Sequence, residues 1–415
     1  MKRLPMSRTM RWSAGLYALS LSYLLFQGGK TSLMLFVMLN GLGFYLLLGR
    51  WSGIGNVQGS RALEGRTGPL GPITAGMRLR IRLNIQVPGF WPIPYVIIRE
   101  KLVRLQGGET QEYETSCVPD YRRRGSATYE TAPLRRGRYR FGHTECSTRD
   151  VFGLFEHSGS FRQPLEFLVL PETVELKEWR WLRRTRQGMN RETVTSNWDR
   201  ETTQIDGVRE YRYGDRLSRI HWNATARTGE WKSKEYERES LPRLVVVLDR
   251  RSESYAGGTE GFELAVSAAA SILDYAMRRG RPVGLVSVGE SDAVWFGTGR
   301  AAVSRQVLMS HLVDVVPDGK GSFGRLLCEA AERYEPGVQM AIVGPAADAD
   351  LVSALGLLEN WRLDPFHLHI RDRRMSDEDR AKLRGWEELC RSKGWGFCSI
   401  EQLHELPRAL EVGSA

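Results

Sequence analysis

From Leu244 onward the chain alternates unbroken apolar runs with helical patterns, and this restricts the fold more than any other feature. Leu244–Leu248 is wholly apolar, as a strand buried on both faces of a parallel sheet requires. An Ala-rich helical pattern follows over Glu260–Arg279. Arg278, Arg279 and Gly280 close it, placing cations and a residue tolerant of left-handed backbone at the negative end of the helix. Val283–Val288, Gln339–Val343, Phe366–Ile370 and Gly396–Ile400 read as further strands, with Ala293–Phe296 as a short companion. Ala301–Val316, Phe323–Tyr334, Asp350–Glu359, Ser376–Arg391 and Gln402–Leu410 read as helices. Repeated βα units of this kind imply a doubly wound sheet with helices on both faces. Residues 241–415 are therefore expected to form one α/β domain.

Upstream the period changes. In Met77–Val87, Leu79, Ile81, Leu83, Ile85 and Val87 alternate with Arg78, Arg80, Arg82, Asn84 and Gln86, which marks a strand with one buried and one solvated face. Pro94–Leu105, Glu109–Val118, Ser126–Thr131, Arg138–Ser147 and Leu165–Leu170 continue the series. Short strands between Gly, Pro and charged turns predict an antiparallel β-sandwich over residues 51–172. Before it, Trp12–Gln27 and Thr31–Gly49 are apolar runs joined at Gly28-Gly29-Lys30, and Lys2, Arg3, Arg8 and Arg11 precede the first. Residues 1–50 are expected to form a transmembrane helical hairpin. The flanking cations would then put both termini of a multi-pass membrane protein in the cytoplasm.

The chain carries Lys+Arg 59 against Asp+Glu 49, a formal net charge of +10. That excess suits anionic membrane lipid, whereas no recognised nucleic-acid-binding motif is present. Five cysteines, Cys117, Cys146, Cys328, Cys390 and Cys398, include no C-x-x-C pair. An odd number at irregular spacing argues against a disulfide framework or a zinc site and fits a reducing compartment.

Residues 173–240 form a basic linker. Its first part, with Trp179, Trp181, Arg180, Arg183, Arg184 and Arg186, reads as an exposed interdomain arm, the alternative being a membrane-surface contact. The second part, Asp206–Glu239, interleaves aromatics with cations. Asp215 is placed to cap a helix carrying Leu217, Ile220 and Ala224, ended by Thr228-Gly229. Trp231–Arg238 looks extended, and Ile220 and Trp222 are apolar enough to be expected inside. Three readings stand for this stretch. It is a structural clamp between domains, a docking surface built from Trp, Tyr and Arg, or a catalytic site using Asp215 and His221.

GVREYRYGDRLSRIHWNATART, within that stretch, resembles the signature of the bacterial domain-of-unknown-function family fifty-eight (DUF58). Gly207, Arg209, Tyr211, Gly214, Asp215, Arg219, Ile220, Trp222, Ala226 and Arg227 carry the match. Arg136, Gly137 and Tyr139, then Asp150, Phe152, Gly153, Leu154 and Phe155, match a second pattern, with Val151 where a Pro is common. The C-terminal domain resembles the von Willebrand factor type A fold, whose metal site follows D-x-S-x-S after the first strand. Asp249 matches its first position, but Arg251 and Glu253 stand at the two Ser positions. Ser322 could replace the Thr from a later loop, and no carboxylate follows Val343 in the middle strand. No cofactor is expected. A degenerate Mg²⁺ site at Asp249 and Ser322 is held open against a sheet-end Asp paired with Arg. The resemblance implies a membrane-anchored, cytoplasm-facing adaptor or assembly factor that is not an enzyme. It also implies a MoxR-type AAA+ ATPase and a transglutaminase-like membrane protein as partners. The rival reading is an envelope-associated hydrolase using Asp215 and His221; no Ser nucleophile elbow or P-loop supports it.

Overall fold

The computed structural model describes residues 8–49, 52–64, 71–150, 153, 156–183, 200–211, 217–239, 243–255, 259–289, 293–297, 304–372 and 375–412. The chain divides into two compact units, Met1–Leu170 and Pro171–Ala415.

The first unit opens with α1 (Arg8–Gln27) and α2 (Lys30–Leu48), joined at Gly28 and Gly29, whose φ values of 53° and 95° make the turn. Tyr17 packs on Phe36 with ring centroids 5.8 Å apart. Among the described residues no helix is long and apolar enough to cross a membrane. That finding overturns the expected transmembrane hairpin, and with it the multi-pass membrane placement with both termini cytoplasmic. Length is the physical reason. Within the two helices the uncharged stretches Trp12–Gln27 and Thr31–Leu48 rise only about 24 Å and about 27 Å at roughly 1.5 Å per residue, short of a hydrocarbon core of about 30 Å. Asn40 also interrupts the second, and its side-chain amide donates to the Phe36 carbonyl at 2.8 Å.

Nine strands follow among the described residues. They are β1 (Gln58–Glu64), β2 (Arg80–Gln86), β3 (Val96–Arg104), β4 (Thr110–Cys117) and β5 (Arg124–Glu130). After these come β6 (Gly137–Phe141), β7 (His143–Arg149), β8 (Glu156–Arg162) and β9 (Glu166–Val169). One antiparallel sheet has the order β1-β2-β5 and the other β8-β7-β3-β6-β9, with β4 pairing β3. β6 and β7 run along β3 in succession, and their registers differ by one residue around Gly142. A bulge of this kind bends the strand and increases its twist. β2 buries every second residue, Ile81, Leu83 and Ile85, against Val96, Ile98 and Leu102 of β3 in a common core. Within that unit the Arg61 guanidinium pairs with Glu100, both side chains being 1% exposed. Thr144 and the Gln163 carbonyl take further Arg61 hydrogen bonds at 3.0 and 2.7 Å. Of the second family-like pattern, Val151, Phe152, Leu154 and Phe155 lie outside the described residues, while Gly153 turns the chain at φ 68°.

The second unit begins with an arm that ends in α3 (Arg180–Arg183). The large apolar side chains of the arm are not exposed, and Arg184 and Arg186 lie outside the described residues. Trp179 and Trp181 are 0% and 2% exposed and pack on Phe366 with centroids 5.0 and 4.9 Å away. Its backbone is tied down as well: Val174 N–H donates to Ser271 Oγ at 3.1 Å, and Trp179 N–H to the Tyr275 hydroxyl at 3.1 Å. Burial of Trp179, Trp181 and Leu182 stabilises this placement, while Arg180 keeps its charge in solvent.

Next come β10 (Arg200–Glu210), α4 (Trp222–Thr228) and β11 (Lys232–Glu239), which form a separate two-stranded lobe. The α/β part follows as β12 (Leu244–Asp249), α5 (Thr259–Arg278), β13 (Val283–Val288), β14 (Ala293–Phe296), α6 (Arg305–Asp314) and α7 (Phe323–Ala331). It ends with β15 (Gln339–Gly344), α8 (Ala349–Asn360), β16 (Asp364–Ile370), α9 (Asp377–Lys393), β17 (Gly396–Ile400) and α10 (Leu406–Val412). The six-stranded sheet has the order β14-β13-β12-β15-β16-β17, parallel except for β14 at one edge. β12, β13 and β15 are buried at every residue, which explains their mainly apolar composition, with Asp249, Ser287 and Gln339 as the polar exceptions. The winding reverses between β12 and β15, since β13 lies on one side of β12 and β15 on the other. The crevice at the carboxyl ends of those two strands is therefore where such sheets hold ligands.

Candidate functional site

Two places concentrate the residues singled out by the sequence, the β10–β11 lobe and the carboxyl end of β12.

In the lobe, β10 and β11 pair with Val208 opposite Lys234 and Glu210 opposite Lys232, and Tyr211 N–H extends the ladder to the Trp231 carbonyl at 2.9 Å. Leu217–Arg219 forms one turn of 3₁₀-helix, and Ile220 then bridges Ser233. α4 starts later than the spacing predicts. Its cap is His221, not Asp215: the ring Nδ1 accepts the Ala224 N–H at 3.1 Å, while His221 N–H donates to the Lys232 carbonyl at 2.8 Å. Gly229, at φ 74°, ends the helix, and Thr225 Oγ accepts from Lys232 N–H at 3.0 Å. These bonds hold the short helix across the end of the hairpin.

Burial of the signature residues divides in a way the sequence does not announce. Ile220 is 1% exposed, as expected. Trp222 is 63% exposed, which corrects the expectation that it lies inside. Trp231 and Leu217 are exposed too. Tyr211 and Trp222 each meet Trp231, with centroids 5.8 and 6.1 Å apart. Glu210, Tyr211, Leu217, Glu230 and Trp231 line an open groove of about 600 Å³. Lys232 Nζ lies 3.5 Å from Glu210 and 3.4 Å from Glu230, so two carboxylates and their lysine partner stand beside the aromatic lining of the groove. Arg209 donates to the Glu210 carbonyl at 2.9 Å, and Ala226 and Arg227 lie on exposed turns of α4. Gly214 and Asp215 lie outside the described residues, as does the Arg219 side chain. Trp231, Leu217 and Glu230 were not marked as site residues by the sequence. The only signal for them is the Gly229 stop, which fixes where the chain turns back toward the hairpin.

At the end of β12, Asp249 is fully buried. Its carboxylate accepts the Arg251 backbone N–H at 2.9 Å, Arg251 Nε at 3.3 Å from both oxygens, and Nη2 at 3.2 Å. Burial raises the Asp249 pKa above the usual carboxylate range, and the Arg251 charge and hydrogen bonds pull it back down. The guanidinium lies over the Phe323 ring, 5.1 Å from its centroid, and Nη1 is 3.8 Å from Asp348 Oδ2. Gly344 ends β15 beside the pair; a Cβ there would come within 2.7 Å of Asp249 Cβ. Ser322 caps α7 by accepting Arg325 N–H at 3.1 Å, and it donates to Asp350 Oδ2 at 2.9 Å. Of the ligands a magnesium site would use here, Asp249 has both oxygens bound by a guanidinium and Ser322 is committed to Asp350. The middle strand supplies only glycine. An octahedral oxygen cage for Mg²⁺ does not fit this donor set.

A six-stranded α/β domain that carries an aromatic lobe before its first strand is the class of protein these features define. Residues 207–359 match the family described as "Protein of unknown function DUF58". The chain is 26% identical over 279 residues to "Uncharacterized protein YeaD" of Bacillus subtilis (strain 168), an alignment covering 66% of each chain. The chain thus spans just under two thirds of that relative, and match and relative together support DUF58 membership. Among solved structures, proximal thread matrix protein 1 from the mussel byssus aligns at 12% identity over 41% of this chain and 46% of its own, with a TM-score of 0.30. A structural-genomics target, SoR45, aligns at 11% identity over 29% of this chain and 91% of its own, with a TM-score of 0.19. Scores this low carry neither fold nor function across.

Proposed function

We propose that the chain is a protein-interaction adaptor and that the β10–α4–β11 lobe is its docking element. The observation that supports this reading is the exposure of Trp222 and Trp231, side by side, on a hairpin whose helix is capped at both ends. Exposed indoles cost solubility unless they are used, and Trp and Tyr dominate the energetic centres of protein interfaces. The charged groups of Glu210, Lys232 and Glu230 suit the polar border of such a patch. The α/β domain behind it, with β14 as its one antiparallel edge strand, is read as a von Willebrand factor type A-like platform. The resemblance of the signature names a MoxR-type AAA+ ATPase as the first partner to try, with a transglutaminase-like protein as the second.

The test is capture of a purified MoxR-type ATPase from the same organism by the full chain. A Trp222→Ala/Trp231→Ala variant should lose capture while its melting midpoint stays close to wild type. Lys382→Ala, on the exposed face of α9, should capture normally. Undiminished capture by the double variant refutes the docking role of the lobe. Failure of the wild type to capture refutes the ATPase as partner.

A further inference from the structure

We infer that the Arg251 guanidinium is a built-in cation filling the position that a bound metal ion would take in the ligand crevice of the α/β sheet. The inference stands apart from the docking role of the lobe and goes beyond it.

The crevice is set by topology. It lies where the winding reverses between β12 and β15, and Asp249 closes the first of these strands there. A carboxylate buried completely at that place needs a positive partner, because desolvation of an unpaired charge is costly. Arg251 supplies it from two residues away, through side chain and backbone together. The arginine is also held in place before any ligand arrives. Gly319 N–H donates to the Arg250 carbonyl at 2.9 Å, and Ser252 N–H donates to the Gly319 carbonyl at 3.0 Å, so the loop on both sides of Arg251 is stitched to the segment before α7. Phe323 supports one face of the guanidinium, and Asp348 lies beyond Nη1. With its side chain only 12% exposed, the arginine occupies the crevice and does not extend from it. Gly344 completes the fit, since any larger residue would displace Asp249.

A fixed guanidinium differs from a metal ion in one testable respect: it cannot be removed by a chelator. Replacing it should leave a vacancy bordered by carboxylates, Asp249 and Asp348, that a divalent cation can enter. The experiment uses the full chain, with Mg²⁺ and Mn²⁺ alone as probes and the thermal midpoint and Mn²⁺ titration as readouts. Wild type and Arg251→Lys should melt at the same temperature in EDTA and in either ion. Arg251→Ser should melt lower in EDTA, recover with Mn²⁺ or Mg²⁺, and lose that recovery in Asp249→Asn/Arg251→Ser. If Arg251→Ser does not accumulate as folded protein, Arg251→Gln, which keeps the bulk over Phe323, is measured in its place. Three results overturn the inference. The first is a wild-type midpoint that rises with either ion and ceases to do so in Asp249→Asn. The second is an Arg251→Ser protein, or Arg251→Gln in its place, that melts like wild type in EDTA. The third is one that melts lower and ignores both ions, which would make Arg251 a packing group only.

Discussion

Two tryptophans of the second unit should respond very differently to truncation. Trp179 is fully buried between Trp181 and Phe366, and Trp222 is 63% exposed on α4. A buried indole removes roughly 200 Å² from water, worth roughly 5 kcal/mol at about 25 cal/mol per Å², and truncation of such a residue costs about 3–5 kcal/mol. The same arithmetic applied to the covered third of Trp222 leaves at most roughly 2 kcal/mol, and exposed substitutions commonly cost less. For a domain of this size each kcal/mol shifts the midpoint by about 2–4 °C. Trp179→Ala should therefore lower the midpoint of the α/β transition by roughly 10 °C, while Trp222→Ala should lower it by a few degrees at most. Differential scanning calorimetry of the full chain separates the two. Equal losses, or a larger loss for Trp222→Ala, would refute the assignment of one indole to the core and the other to the surface.

Further expectations concern buried polar groups. Glu100→Ala strands the Arg61 guanidinium in the β-sheet unit and should cost about 3–5 kcal/mol, whereas Arg61→Met/Glu100→Leu should come close to wild type; urea midpoints decide it. Burial lowers His367 to about 3 and His369 to about 4, against about 6.5 in the unfolded chain. Because the folded values lie below the unfolded one, their contribution is complete above pH 6.5 and is lost as the pH falls toward 4 and 3. His367→Gln/His369→Gln should flatten that acid slope in denaturant titrations, and an unchanged slope would count against it. Gly344→Ala should push Asp249 away from Arg251 and destabilise the domain by about 1–3 kcal/mol, a cost that thermal melts will reveal or exclude.

Elements whose environment is local were legible in the sequence. The alternation of Ile81, Leu83 and Ile85 predicts a half-buried strand, and β2 buries those three residues. The unbroken run Leu244–Leu248 predicts a central parallel strand, and β12 is one. The helical pattern predicted from Ser376 is α9, and Ser376 caps it by accepting Asp379 N–H at 3.1 Å. What escaped was decided by distant residues. The basic segment around Trp179 looks solvated until Phe366 is brought against it by the sheet. Trp222 looks buried because Trp usually is, but α4 turns it outward once His221 and Gly229 fix the ends of the helix. Two apolar runs spell a membrane hairpin by composition alone, and helix length decides otherwise. At the candidate crevice the pairing of Asp249 with Arg251 was one of two sequence readings. Spacing could not choose between them, because the choice rests on which way a long side chain folds back.

The arm before the lobe has a consequence for how this domain can vary. Gly396 has no room for a methyl group, since a Cβ would come within 2.3 Å of Phe366 and 2.9 Å of Trp181. Gln339 Nε2 donates to the Trp181 carbonyl at 3.3 Å, binding the arm to β15 as well. The chain thus enters the α/β domain at the arm, leaves it to build the lobe, and re-enters at β12. Both exits are anchored in the same core, so the lobe is an insertion: its loops can lengthen, its aromatic residues can be exchanged, and its backbone can be nicked while the pieces on either side stay attached. Substitutions confined to the lobe should therefore cost the sheet that carries it little.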